Sequence, residues 1–306
     1  MKSKEGRLTK IFSQHSNFNH MLKDITILTS ACGAPTTPGK LKCYKNNGER
    51  NIRIVGVDMS DDPTNKYIVD AYYQVPPISA PNYIDIIIDI CKKENVDIYF
   101  PNISAEVSLV VDRLDDFKAN NIIVSISNIE SVNIANNKLS TYKVLQNAGI
   151  PVPKFYGVHS VEDFIEGCKY MGYPEKSVCI KIVNGSGSRG VRIIDAYKSR
   201  YQIFAHEKPN SFYTSYDDML SILREPKQLD ELMLVEYMPG NEYTVDLLAE
   251  KGEVLYMVGR ENIVSQMSIA QVSILAPDPK AYEVSKAITK LLALDGNIGY
   301  DFMRNE

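Results

Sequence analysis

The chain has 306 residues, 44% of them hydrophobic and 24% charged, with 34 basic against 38 acidic side chains and a formal charge of −4. At roughly 150 residues per domain this suggests about two domains with sizeable cores. The composition is unlike that of disordered or collagenous chains, and the slight negative charge offers no bulk field for phosphodiester backbones or anionic membranes.

Residues 1–21 carry Lys2, Lys4, Arg7 and Lys10 with no apolar stretch behind them, so they read as a loosely ordered leader rather than a signal peptide. From Asp24 onward, short β-branched runs alternate with helix-period segments. Ile25 to Thr29, Ile52 to Val57, Asp97 to Phe100 and Ile122 to Ile126 are predicted strands bounded by Gly, Pro, Asn or Ser. Tyr83, Ile86, Ile87, Ile90 and Cys91 form one face of a helix that Pro81 and Asn82 open. This alternation predicts a parallel α/β sheet over residues 22–136.

After Asn136 the pattern changes. Lys138 to Ala148 reads as a helix stopped by Gly149, and Ile150-Pro151-Val152-Pro153 forces an extended exit. Strands are predicted at Lys154 to Val158, Val178 to Val183, Val191 to Ile194, Leu232 to Tyr237, Tyr243 to Leu248 and Val254 to Gly259, with helices at Val161 to Met171 and Tyr216 to Arg224. Lys251-Gly252 joins two of these strands as a hairpin. A helix with Val284, Ile288, Leu291 and Leu292 on one face precedes a last strand from Ile298 to Met303. Consecutive strands joined by short turns predict an antiparallel α+β domain over residues 137–306.

Three stretches carry chemistry. In IKIVNGSGSRGV, residues 180–191, a strand bearing Lys181 runs into Gly185, Ser186, Gly187, Ser188 and Gly190. Glycines let backbone amides face an anion, and alternation sets Lys181 opposite Val178, Ile180 and Ile182. The stretch is neither a P-loop nor GxGxxG, and reads either as a flexible cap over a nucleotide or as a mobile surface hairpin. Next, Glu236-Tyr237-Met238-Pro239-Gly240-Asn241-Glu242 ends a strand at a Pro-Gly break, leaving backbone groups free for a flat base and a carboxylate for ribose hydroxyls. Beyond it Glu242, Thr244 and Asp246 share one face and Tyr243, Val245 and Leu247 the other, so the polar face lines a cleft or simply meets solvent. Finally, Gly299-Tyr300-Asp301-Phe302 sets one acid in an apolar strand, either as a Mg²⁺ ligand or as an edge-strand acid.

The remaining signals read as structural. Ser30 to Gly39 follows the first strand with imperfect glycine spacing, and Asp58 ends the second strand. The five cysteines form no CxxC and are expected to be buried, inert thiols in a reducing, cytoplasmic setting. His15, His20, His159 and His206 make no ligand spacing and are expected at the surface. The nineteen tyrosines show no interleaving with basic clusters.

Taken together, these residues resemble the ATP-grasp superfamily, in particular the large subunit of carbamoyl phosphate synthase and its stand-alone relatives, over nearly everything from Ile25 to Glu306. The resemblance implies an α/β pre-ATP-grasp domain followed by an α+β ATP-grasp domain, with a lid over about 153–232 and a core over 233–306. NNKLSTYKVLQNAGIPVPK is similar to the family's opening segment, with Lys138 meeting phosphates. IKIVNGSGSRGVRII resembles the lid strand and glycine loop, with Lys181 on phosphate and the adenine side. LVEYMPGNEYTVDLL resembles the hinge, in which Glu236, Tyr237 and the Met238 backbone meet adenine and Glu242 meets ribose. GYDF resembles the first magnesium strand, with Asp301 as ligand.

Family members continue into a second metal strand of the type ExNxR, whereas this sequence ends at Glu306. The resemblance therefore implies an incomplete metal site and low turnover for the chain alone. The implied activity is ATP- and Mg²⁺-dependent activation of a carboxylate or bicarbonate as an acyl phosphate, captured by an amine. Arg260 stands either as a bidentate substrate contact or as a surface arginine. The implied partners are small molecules rather than nucleic acid or membrane, and a homodimer stays open. A non-catalytic ATP-binding module and a Rossmann-type nucleotide-sugar or NAD enzyme are the rival readings.

Overall fold

The computed structural model describes residues 22–185, 189–266 and 269–304. The chain divides into two compact units, 1–125 and 126–306. The division falls upstream of Asn136 because the helix at Ile129–Asn136 is tied into the second unit: Ser131 Oγ donates to the Leu292 carbonyl, and Ser127 Oγ donates to that of Asp295 at 2.9 Å.

In the first unit β1 (Ile25–Thr29), β2 (Ile52–Asp58), β3 (Ala71–Gln74), β4 (Ile98–Phe100) and β5 (Ile123–Val124) form one parallel sheet in the order β3-β2-β1-β4-β5. Helices α1 (Thr37–Lys45), α2 (Tyr83–Glu94), α3 (Ser104–Val111) and α4 (Leu114–Ala119) complete it. Apolar residues cover both faces of the sheet, as buried parallel strands require. Leu28, Val55, Val57 and Tyr99 pack on the Tyr83, Ile87, Ile90 and Cys91 face of α2, while Ile27 and Ile54 pack on Leu41 of α1. The sequence reading missed β3, a half-buried edge strand, and made β5 too long.

The second unit opens with α5 (Ile129–Asn136) and α6 (Lys138–Asn147), each N-capped by an Asn side chain. It holds two sheets. One is five-stranded, β6-β10-β7-β8-β9, from β6 (Phe155–Val158), β7 (Val178–Ile182), β8 (Arg192–Ile194), β9 (Tyr213–Thr214) and β10 (Leu232–Glu236), with α7 (Val161–Met171), α8 (Arg200–His206) and α9 (Tyr216–Leu223). Its pairs are antiparallel except β8 with β9. The other is antiparallel, β13-β12-β11-β14, from β11 (Glu242–Glu250), β12 (Glu253–Gln266), β13 (Ile269–Leu275) and β14 (Gly296–Met303), and packs on α10 (Pro279–Leu291). Lys251 and Gly252, both at positive φ, make the predicted two-residue turn between β11 and β12.

Several expectations are corrected. β12 runs to Gln266 rather than stopping at Gly259, and α8, β9 and β13 are additional. Leu291 is exposed, because α10 turns its buried face through Ala281, Ser285 and Ile288. Cys43 is also exposed, while Cys32, Cys91, Cys168 and Cys179 are buried as expected. Burial pushes the Cys91 and Cys168 thiols up to about 12, which keeps them protonated and inert. His159 and His206 are exposed. His15, His20 and the leader lie outside the described residues. No helix among the described residues is long and apolar enough to cross a membrane.

Candidate functional site

The candidate site lies in the second unit and has two groups of residues. The first gathers where β7 runs into the glycine segment. α6 begins at Lys138, and its ammonium reaches the carbonyl oxygens of Val183 at 3.1 Å and of Ile182 and Gly185. Lys181 lies on the β7 face opposite Val178, Ile180 and Ile182, which are in the core beneath α7. The two lysines are close enough that burial and the Lys181 charge together hold the Lys138 ammonium below its ordinary pKa. Among the described residues neither forms an ion pair with a carboxylate.

Gly190 has φ +69° and lies so near Ile182 that a Cβ there would stand 2.3 Å from that side chain, so only glycine fits. Ser186, Gly187 and Ser188 lie outside the described residues.

On the neighbouring strand β10, Glu236 pairs with Val178 and holds an exposed carboxylate that accepts the Lys154 backbone N–H at 3.4 Å. Tyr237 and Met238 follow, half-buried, where the chain leaves the ladder. The Tyr237 hydroxyl lies 3.4 Å from that of Tyr213, and burial pushes its pKa well up. Gly240 then passes against β14: its N–H donates to the Arg304 carbonyl at 3.1 Å, and a Cβ would stand 2.4 Å from that oxygen. Pro239-Gly240 is thus the turn that carries the chain from one sheet to the other.

The second group covers one face of the four-stranded sheet. Tyr243, Val245 and Leu247 are buried against α10, so period two sends Glu242, Thr244 and Asp246 to the opposite face, as the sequence predicts. Across the ladder, Glu242 stands beside Asn262, which faces Ser273; Thr244 pairs with Arg260 on one side and Asp301 on the other. Asn262, 5% exposed, organises the group. Its amide donates to Glu242 Oε1 at 2.6 Å and Thr244 Oγ1 at 3.1 Å, and its oxygen accepts from Arg260 Nη1 at 2.7 Å and Ser273 Oγ at 2.8 Å. Thr244 Oγ1 donates to Asp301 Oδ1 at 2.8 Å.

Arg260 also donates through Nε to Asp246 at 2.9 Å and is therefore no loose surface arginine, although its guanidinium keeps further N–H groups. Asp301 is exposed, and the described residues contain no cluster of three metal-ligating side chains. A cation there would take one carboxylate from the protein and its other ligands from phosphates and water, the usual mode for Mg²⁺.

Structure therefore joins Lys138, Lys181 and Gly185, and separately joins Glu242, Thr244, Asp246, Arg260 and Asp301. Sequence reasoning missed Asn262 and Ser273. The signal was the alternation Arg260, Asn262 on β12, legible only once that strand is extended past Gly259.

Family comparisons agree with this architecture. Residues 27–125 match the family described as PylC-like, N-terminal domain, and residues 228–306 match ATP-grasp in the biosynthetic pathway with Ter operon. A curated carbamoyl-phosphate synthase from Methanobrevibacter smithii is 22% identical over 209 residues, covering 67% of this chain and 48% of that protein. The chain thus spans about half the length of that relative.

Among solved structures, the biotin carboxylase domain of Hydrogenobacter thermophilus 2-oxoglutarate carboxylase, in complex with MgADP, ADP and bicarbonate, superposes with TM-score 0.63 at 17% identity, over 92% of this chain and 61% of that one. Staphylococcus aureus N5-carboxyaminoimidazole synthetase with ADP gives 0.63 at 14% identity, over 93% and 68%. At such identities the likeness establishes the fold.

Proposed function

We propose, from the match of residues 228–306 to an ATP-grasp family and from the shared fold, that this chain is an ATP-grasp protein whose second unit binds ATP with Mg²⁺ for a carboxylate–amine ligase reaction. The observation that carries the reading is the pair Lys138 and Lys181, two neighbouring cations without a carboxylate partner among the described residues, at the mouth of a glycine segment. Like charges held together are costly unless an anion meets them, and a polyphosphate is such an anion.

In this reading Lys138, whose ammonium in this structure donates to the carbonyls of Ile182, Val183 and Gly185, would turn to phosphates together with Lys181 and the glycine segment. Glu236, Tyr237 and the Met238 backbone border adenine, and Glu242 accepts from ribose hydroxyls. Asp301 would hold Mg²⁺, which supplies charge neutralisation on the phosphates. Arg260, fixed by Asp246 and Asn262, presents its remaining N–H groups to the acyl phosphate or the substrate carboxylate. The acid's carboxylate attacks the γ-phosphorus, ADP leaves, and an amine then displaces phosphate from the acyl phosphate. The protein's contribution is positioning and electrostatic stabilisation.

Titration calorimetry with a non-hydrolysable ATP analogue, with and without Mg²⁺, tests this. Saturable binding strengthened by Mg²⁺ is expected, and no binding in either condition would overturn the reading. ADP release that depends on both an added carboxylate and an added amine separates a ligase from a module that only binds nucleotide.

Asn262 gives a second test. All four of its hydrogen-bonding positions are used, so Asn262→Ala takes the amide donor from buried Thr244 and leaves half-buried Arg260 without that acceptor. Denaturant unfolding should show a loss of about 1–3 kcal/mol, and analogue affinity should fall with it because Glu242 is no longer held. Wild-type values in both assays would refute the organising role.

A further inference from the structure

The sheet face that carries Glu242, Thr244 and Asp246 continues along β11 to Leu248. Register sets Val258 and Gly299 on either side of Asp246, and Tyr256 and Asn297 on either side of Leu248. These positions follow Arg260 and Asp301 along the face, in the direction away from Glu242. The six residues are among those lining a groove of ≈ 510 Å³ in the second unit, a volume that suits a small organic molecule.

Gly299 makes the hollow. It stands exposed inside β14, where a glycine marks a close approach rather than a good strand former. Its backbone does not require glycine, because its φ is not left-handed and a Cβ there would meet nothing nearer than the Asp246 carboxylate, at 3.5 Å. Leu248, Val258 and the Tyr256 ring give the groove apolar walls, and Tyr256 is 76% exposed.

The polar groups are few. Asp246 is half exposed; its Oδ2 accepts from Arg260 Nε at 2.9 Å, while Oδ1 lies over Gly299 and takes no hydrogen bond among the described residues. The Asn297 amide and the Tyr256 hydroxyl are likewise uncommitted among those residues. No lysine, arginine or histidine lines the groove among the described residues, so its one charged lining group is an acid. A carboxylate or phosphate would find no cation along these walls, whereas an ammonium can donate to Oδ1 in a charge-assisted bond.

We propose that this groove binds a primary amine with an apolar body, its ammonium on Asp246 Oδ1 and its body against Leu248, Val258 and Tyr256. The further role of this molecule as the acceptor of the ligase reaction rests on the function proposed above. In that role Asp246 joins the two substrates, with the amine on one carboxylate oxygen and Arg260, the acyl phosphate contact, on the other. Binding of the amine itself needs no nucleotide.

The test is an amide NMR titration of the full chain, at neutral pH and constant ionic strength, with phenethylamine and separately with phenylpropionate. Saturable shifts are expected from phenethylamine at amides within residues 246–248, 256–258 and 297–299, and none that saturate from phenylpropionate. Gly299→Val fills the hollow with a side chain suited to a strand, and Asp246→Asn removes the charge, so each should weaken the amine by roughly tenfold or more. Shifts that never saturate, that fall elsewhere, that phenylpropionate matches, or that persist unchanged in either variant would overturn the proposal. The two wild-type titrations decide it should a variant not fold. Calorimetry with the ATP analogue keeps the two readings apart: amine binding by a chain that binds no analogue supports the groove and removes the acceptor role, and analogue binding without saturable amine shifts overturns the groove alone.

Discussion

Lys181→Ala should bind a non-hydrolysable ATP analogue about tenfold to a hundredfold more weakly than the wild type, yet its nucleotide-free form should melt no lower. Loss of a charge-assisted contact to phosphate costs about 1.5–3 kcal/mol, and each 1.4 kcal/mol is roughly a factor of ten in affinity. Stability goes the other way because Lys181 has no ion pair to lose among the described residues and, second to burial, its charge depresses the pKa of Lys138. A lysine with a folded pKa below its unfolded value destabilises the fold most at pH below both values, and the penalty fades as pH rises through them. At neutral pH the variant therefore removes a repulsion, and added salt should shrink the difference between variant and wild type. Calorimetry and thermal melts with and without analogue check both halves. An unchanged dissociation constant would sink the nucleotide site, and a large fall in the melting temperature of the free protein would show that Lys181 is a structural residue.

How far the sequence disclosed this site depends on the regularity of each strand. β11 follows strict period two against a buried face, so Glu242, Thr244 and Asp246 could be placed together before any coordinates. β7 likewise puts Lys181 on the face opposite Val178 and Ile180. β12 outruns its predicted end. Its register with β13 is regular from Arg260 to Asn262 and shifts only beyond Asn262, so the Arg260–Asn262 alternation is sound and escapes a reading that ends the strand at Gly259.

α8 escaped for a different reason. It buries none of its residues, so no apolar stripe marks it, and its signature is the capping box of Ser199 and Gln202. β3 is a half-buried edge strand, AYYQ, too polar to stand out. The polar floor of the first unit was illegible for a third reason: Glu106 meets Ser30 and Tyr83, 76 and 23 residues away, and nothing local distinguishes a buried acid at a helix start from a solvated one.

That floor sets the largest stability effect expected in the molecule. Glu106→Ala should unfold the first unit selectively, at a cost of about 4 kcal/mol or more, because it strips a shared acceptor from Ser30, Tyr83 and Tyr99, all buried. Glu106→Gln keeps one acceptor oxygen and nearly the same shape, so it should cost about 1–3 kcal/mol. Hydrogen exchange of the intact chain separates the units. Peptides spanning β1 and β4 should lose protection in Glu106→Ala, those spanning β11 and β12 should keep it, and Glu106→Gln should fall between.

Alkaline unfolding supplies a second readout with a definite sign. Burial, and next to it the Glu106 charge, raise the Tyr83 and Tyr99 hydroxyls above their ordinary pKa. Their contribution is complete below the unfolded value, about 10, and is lost as pH climbs beyond it, since the unfolded chain releases protons the folded one retains. Wild-type protection of β1 and β4 should accordingly decline above that pH while neutral conditions leave it intact. Equal protection of β1 in Glu106→Ala and wild type would mean that the buried carboxylate does not hold the loops after β1 and β4 together.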